Sequence, residues 1–338
     1  MNRYHWIWKV VAVAVWLAAL ATLGVLGIII ASIILLVVLG LLTDPKRVKR
    51  DRALGMWFGI AWLAILLVLA IFGDALPFVF GENERVASSN YANGPGREFW
   101  FGTDDLGKDM FSRSIYSARL ALTVSLVSIA GAVLIGGTLG MLAGYFKGWI
   151  DRVVSILVDS LLAFPAIVIA ALVIGRFDVL QQSDIQILGI GFEWLTRRWS
   201  VTIIFLMLSI APVARIVRAQ TLSLSEREYV LAAKSIGART PRILVREILP
   251  NLVPAMVSVI FTGVAILLAA EGGLAFIGYS VKAPDSSWGL MINIHRSRIQ
   301  EAWWATVFPA LMLFFTVLAF NLVGDRVAKR FDIKEAAL

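Results

Sequence analysis

Seven apolar runs recur along the chain, and nothing else in the sequence narrows its possible folds as much. A helix needs roughly 20 apolar residues to cross the hydrocarbon core of a bilayer. Val10–Leu42, Leu54–Gly73, Leu120–Phe146, Val153–Gly175, Leu252–Ile277 and Trp303–Val323 meet that length, and Ser200–Ala214 approaches it by extending past Arg215. Lipid offers no partner to an exposed backbone N–H or C=O, so each crossing is expected to be helical. Composition agrees: 16% of residues are charged, whereas soluble domains carry about a quarter. The expected fold is an all-α integral membrane protein. Val10–Leu42 exceeds a signal-peptide core and no small-residue cleavage site follows it, so it is read as a span and not a leader.

Charge sets the expected orientation. Thr43–Ala53, Lys147–Arg152, Arg215–Arg246 and Arg326–Lys334 carry 18 Lys and Arg, against 11 in Gly81–Arg119, Arg176–Ser200 and Val281–Trp304. Basic residues accumulate on the cytoplasmic side of membrane proteins. The first set is therefore placed inside, giving six spans from Leu54 onward with both ends in the cytoplasm. The N-terminal run is either one tilted helix or a hairpin bent at Gly24 and Gly27. One span is preferred, because two would each fall short of full length. This divides the chain into an extra N-terminal segment with a basic linker, 1–53, and a core, 54–338.

Several chemistries lack their residues. There is no cysteine, and His5 and His295 are the two imidazoles. A zinc site or a histidine-based triad has little to work with, and no metal is assigned. His295 reads as an exposed loop residue. The net charge of +8 is accounted for by membrane orientation and does not indicate nucleic acid.

The most basic inside connection, about 215–251, reads RIVRAQTLSLSEREYVLAAKSIGARTPRILVREILPN. Ser225 and Glu228 have capping-box spacing, which predicts a helix over Glu226–Ile236. Gly237 supplies a stop, Pro241 starts a second short helix, and Pro250 leads into the next span. Ala232 and Ala233 leave room for another surface to approach. A plain amphipathic connector lying on lipid is the bland alternative.

The outside segment FWFGTDDLGKDMFSRS contains Gly102, Gly107 and Lys108 at phosphate-loop spacing. Asp109 stands where Ser or Thr would hold magnesium, and Asp104 and Asp105 repel phosphate. Nucleotide binding is rejected there, and Asp109 is expected to open an amphipathic helix running to Arg119. Two carboxylates, Asp159 and Glu271, fall inside spans. Such groups face a bundle interior or a watery path. Proton coupling or substrate contact is one reading; hydrogen bonding between helices is favoured. Pro165 is expected to kink its helix, and Pro212 likewise.

These motifs resemble those of ATP-binding-cassette importer permeases of the dipeptide, oligopeptide and nickel type, in particular their second subunit. The family's pattern is Glu-Ala-Ala, three residues, Gly, nine residues, Ile, one residue, Leu-Pro. Ala232, Ala233, Gly237, Leu249 and Pro250 occupy matching positions, while Leu231 replaces the Glu and Glu247 the Ile. Gly102, Thr103, Asp104, Gly107 and Asp109 match a second motif, with Lys108 in place of Arg. Pro284, Ser287, Trp288, Gly289 and Trp303 are similar again, as is the exit FNLVGDRVAKRFD. The resemblance implies a type I six-helix core and a non-catalytic subunit that translocates peptides or similar small solutes. It implies that 232–250 couples to ATPase subunits and that 102–109 lies in the external vestibule. It further implies a second permease chain, two ATP-binding subunits carrying ATP and magnesium, an external solute-binding protein, and a prokaryotic inner membrane. The rival reading is a proton-coupled secondary transporter using Asp159 and Glu271. It calls for paired inverted halves with broken helices, and no such repeat is visible.

Overall fold

A computed structural model describes residues 52–87, 93–182 and 196–335. The expected span at Val10–Leu42 lies outside them. The described elements are α1 (Arg52–Phe72), α2 (Met110–Phe146), α3 (Gly148–Leu162), α4 (Ala166–Gln182), α5 (Arg197–Ser225), α6 (Glu228–Ser235), α7 (Thr240–Ile243), α8 (Leu249–Phe276), α9 (Trp288–His295) and α10 (Trp304–Glu335). Among the described residues there is no strand, only the isolated bridges Arg85–Lys108 and Thr103–Asp109. The all-α membrane fold is thus confirmed, with five helices long and apolar enough to cross a bilayer.

One of the six expected crossings differs from expectation. The run Val153–Gly175 is not one kinked helix. Its two halves, α3 and α4, meet at 81°, a sharper turn than a kink. Pro165 has no N–H to continue the helix; its carbonyl instead receives the N–H groups of Val168 and Ile169 and opens α4. α5, by contrast, runs through Pro212 as one helix.

Two other elements are longer than the apolar runs that announced them. The polar stretch before Leu120 and the run after it form one helix, α2, of 37 residues. Residues Thr240–Phe276 likewise form one apolar helical rod, with a π turn at Leu244–Ile248 joining α7 to α8. The short helix expected at Pro241 is the first turn of a span.

The chain divides into two compact units. The first holds α1, the described loop segments between α1 and α2, the start of α2, α9 and most of α10. Here α1 and α10 pack closely: a Cβ on Gly59 would lie 3.0 Å from the carbonyl oxygen of Ala319. Trp62 Nε1 donates to Thr316 Oγ1 at 3.0 Å, and the Trp62 and Phe315 rings lie 5.2 Å apart. Trp288 is fully buried, and its indole N–H donates to the carbonyl of Ser114 at 3.1 Å. Burying that large ring without stranding its N–H is what fixes α9 against α2.

The second unit holds the rest of α2 with α3 to α8. Gly136, Gly140 and Gly144 recur every fourth residue on α2. A Cβ on Gly136 would meet the carbonyl of Ile210 at 2.6 Å, on Gly140 that of Ala214 at 2.4 Å, and on Gly144 that of Arg218 at 2.7 Å. Without side chains at these positions the backbones of α2 and α5 touch, the close approach by which helices associate in lipid. Ser128 Oγ donates to Thr202 O across the same seam at 2.8 Å. The apolar Leu134, Ile156, Leu157 and Leu172 of this unit are exposed.

Candidate functional site

Two regions, each local to one unit, hold the motif residues the sequence singled out, and the carboxylates Asp159 and Glu271 lie apart from both. In the second unit, the connection after α5 forms a protruding helical turn. Arg227 precedes α6 with extended backbone and no side-chain cap. The capping box expected at Ser225 is not formed: Ser225 is the last residue of α5, and its hydroxyl donates to Leu222 O at 2.9 Å. The end of α6 is well determined by its chemistry. Gly237 has φ +79°, its N–H bonds Lys234 O at 3.0 Å, and Ala238 N–H bonds Ala233 O at 3.0 Å. That pair of bonds around a left-handed glycine satisfies the final carbonyls of the helix.

Val230, Ile243, Leu244 and Ile248 are buried beneath this turn. Above them Ala232 and Leu231 are exposed, Val245 is exposed, and Ile236 is 86% exposed. Arg227, Arg239, Arg242 and Arg246 surround them, all exposed. Leu249 is half-buried and Pro250 exposed in the first turn of α8. The exposed face of this turn is thus an apolar knob ringed by arginines. At the base Lys147 pairs with Glu226 at 2.8 Å, holding the Glu226 carboxyl below its ordinary value. Lys234 lies 4.9 Å from the Tyr145 ring centroid, a cation–π contact that ties α6 to the end of α2.

In the first unit, residues 102–109 make a closed turn. Asp104 sits at its centre, 2% exposed. One carboxylate oxygen accepts the N–H groups of Leu106 at 2.9 Å and Lys108 at 2.8 Å. The other accepts from Arg113 at 2.7 Å, an ion pair buried on both sides. In a phosphate loop such N–H groups point at the ligand; here a side chain of the loop consumes them, which closes the nucleotide reading on geometry. Gly102 and Gly107 have φ of +69° and +73°, and a Cβ on either would come within 2.6 Å of a backbone carbonyl. Thr103 Oγ1 accepts from Asn93 N–H at 2.9 Å, and Trp304 donates to Thr103 O at 3.2 Å. Lys108 Nζ donates to Asn83 at 2.9 Å. Asp109 caps α2, accepting from the N–H and hydroxyl of Ser112 at 2.7 and 2.6 Å. Burial pushes its carboxyl above the ordinary carboxylate range, against the pull of those bonds.

His295 corrects the sequence reading. It is no exposed loop residue but the last residue of α9, 4% exposed. Its Nδ1 lies 2.7 Å from Met291 O, and its Nε2 is 4.0 Å from Asp105. Asp105 itself pairs with Arg298 at 2.7 Å. Burial holds the imidazole below its usual pKa, and nearby Arg113 adds to that, while Met291 O, Asp104 and Asp105 oppose it. Sequence spacing carried no sign of this, because the helix ending at His295 is only eight residues long.

The two intramembrane carboxylates lie apart in role. Glu271, on α8, is 2% exposed and accepts from Ser280 Oγ at 2.8 Å. Asp159, on α3, pairs with Arg215 of α5 at 2.5 Å. One helical stretch nearer the helix ends, Asp151 takes both an Nε and an Nη bond from Arg218. Sequence reading found Asp159 but missed its partner; an Arg two turns or more inside an apolar helix is the signal that pointed to it.

Residues 136–334, more than half of the chain, match the family described as binding-protein-dependent transport system inner membrane component. The chain belongs to this family. It is 36% identical over 291 residues to the dipeptide transport system permease protein of Alkalihalophilus pseudofirmus, covering 86% of this chain and 88% of the relative. It is 35% identical over 275 residues to the glutathione transport system permease protein of Pectobacterium atrosepticum, covering 81% and 86%. The Escherichia coli glutathione permease is 38% identical over 276 residues, covering 81% and 84%. The protein is therefore a multi-pass inner-membrane permease subunit of an ATP-driven, binding-protein-dependent importer. Its relatives are transport subunits, and the proton-coupled alternative finds no support among them.

Proposed function

We propose that the protein is one of two non-identical permease chains of a peptide importer, and that the turn formed by α6, Gly237 and α7 docks on an ATPase subunit. The peptide class rests on the relatives, two kinds of which are named for a dipeptide and for the tripeptide glutathione. Docking rests on one observation: Ile236 stands 86% exposed at the tip of a turn whose underside is buried. A groove on the partner would receive Ile236, Leu231 and the small Ala232 and Ala233, with Gly237 setting the tip's shape and Leu249 and Pro250 passing any movement into α8.

ATP and magnesium belong to two cytoplasmic partner subunits in this reading. Their closure would displace the docked turn, and the long helices α5 and α8 on either side of it would carry the displacement across the membrane. An external binding protein would deliver the solute to the face that carries Gly102, Thr103, Asp104, Gly107, Lys108 and Asp109. The core comprises 54–338, with 1–53 an additional segment.

The test is co-purification from native membranes. Ile236→Asp places a carboxylate in an apolar groove and should cut the ATPase recovered with the permease at least tenfold, while the permease itself stays folded in detergent. Undiminished ATPase recovery from that variant would remove the docking assignment.

A further inference from the structure

We propose that the Asp159–Arg215 pair lines the solute path and exchanges partners with a zwitterionic solute, Asp159 receiving an ammonium group and Arg215 a carboxylate. This deepens the peptide reading above and rests on it for the identity of the solute.

Arg215 lies ten residues inside α5, and Asp159 lies three residues before α3 ends at Leu162, just ahead of the 81° bend into α4. α3 starts at Gly148 and α5 ends at Ser225, and Lys147 and Glu226 hold those two ends together at 2.8 Å. Asp159 lies eleven residues along α3 from that end and Arg215 ten residues along α5. At 1.5 Å per residue both lie about 15 Å from those joined ends. The hydrocarbon core is about 30 Å thick and α5 about 43 Å long, so the pair lies between the midplane of the core and its cytoplasmic boundary. Lipid does not tolerate such groups on its face; they turn to a bundle interior or to water.

Exposure along the same helix pair runs the wrong way for a purely structural bridge. Asp151–Arg218, nearer the ends, has side chains 22% and 33% exposed. Asp159–Arg215, deeper in, has 65% and 58%. A bridge that only tied α3 to α5 would be enclosed, as the Asp104–Arg113 pair is within its own turn. The deeper pair instead borders an open cleft of about 250 Å³, lined by Val154, Ser155, Val158, Ala214 and Arg218 besides the pair itself. A cleft of that size holds a small solute or part of one.

The charges suit one chemistry. When the cleft is empty the two groups satisfy each other, so no lone charge faces the membrane interior. An ammonium and a carboxylate on one solute replace like with like, keeping every charge paired. A solute with a single charge would strand either Asp159 or Arg215.

The reconstituted importer, assembled with its ATPases, partner permease and binding protein, provides two independent readouts. The native chain lacks cysteine, so Ser155→Cys, on the wall of the cleft with the Asp159–Arg215 pair intact, gives it one thiol. That thiol should react with a charged, membrane-impermeant thiol reagent and be slowed by excess peptide. Reaction only with an apolar maleimide would place the position against lipid and overturn the path assignment, whatever the solute. Second, uptake of a dipeptide and of its N-acetylated and C-amidated forms is compared, each as the ratio of variant to wild type so that selection by the binding protein cancels. Asp159→Asn should lower uptake of the free-amine peptide about tenfold more than that of the acetylated one. Arg215→Gln should do the same for the free acid against the amide. Equal losses for all three, or full rescue by the swapped pair Asp159→Arg with Arg215→Asp, would make the bridge structural and overturn solute contact. Absence of peptide uptake by the wild type would instead overturn the peptide reading, with the thiol readout still deciding the path.

Discussion

Asp104 shows how much one side chain organises. Its two oxygens satisfy two backbone N–H groups and one guanidinium, and Asp104 itself is 2% exposed. Asp104→Ala would leave Arg113 charged and buried without its partner, a loss of about 3–5 kcal/mol for breaking a buried pair. The double variant Asp104→Leu with Arg113→Met should recover part of that loss, which thermal unfolding in detergent would register as a non-additive cycle. His295 gives a pH dependence of stated sign. Its folded pKa is lowered by burial, so the unfolded chain binds the proton more readily. Its contribution to stability is present above the unfolded value of about 6.5 and is lost as pH falls toward the folded one. The unfolding midpoint should drop between pH 7.5 and 5.5, and His295→Gln should flatten that slope. The residue types at Gly102, Asp104 and Gly107 were legible as a turn. The burial of His295 was not, because one imidazole in a short helix leaves no periodic trace.

Among the elements, α6 ends where its sequence says, and begins where its sequence does not. Gly237 needs a left-handed backbone, and a Cβ there would touch nothing within 4 Å. Gly237→Val should therefore cost about 1–2 kcal/mol through backbone strain alone, while Gly237→Asn, which tolerates that conformation, should cost less. Measuring transport per ATP hydrolysed would show the Val variant uncoupled and the Asn variant near wild type if the tip's shape governs docking. The start was misplaced because Ser225 and Glu228 satisfy a local rule, whereas α5 continues through Ser225 on tertiary support. Gly136, Gly140 and Gly144 were legible but unread: their spacing of four in an apolar run is the signature of helices in contact. The bend between α3 and α4 was half legible. Pro165 announces a break, but the 81° angle depends on what each half packs against.

For the molecule as a whole, the count and polarity of the spans define what can be tested. α5 has 29 residues, about 43 Å of helix, enough to reach beyond a core of about 30 Å. In right-side-out vesicles, Thr196→Cys should react with an impermeant maleimide, and Ser235→Cys only after permeabilisation. The reverse pattern would invert the topology and the docking assignment with it. Apolar run length and loop charge determined that this chain crosses the membrane several times and which ends of its helices carry the basic turns, because lipid imposes those demands on every residue independently of its neighbours. Tertiary structure alone decided that Asp159 meets Arg215, that Asp104 is enclosed by Arg113, and that Ile236 is left bare. Each of those depends on which helices come together, and residues 56 positions apart in one chain carry no local mark of the contact they will make.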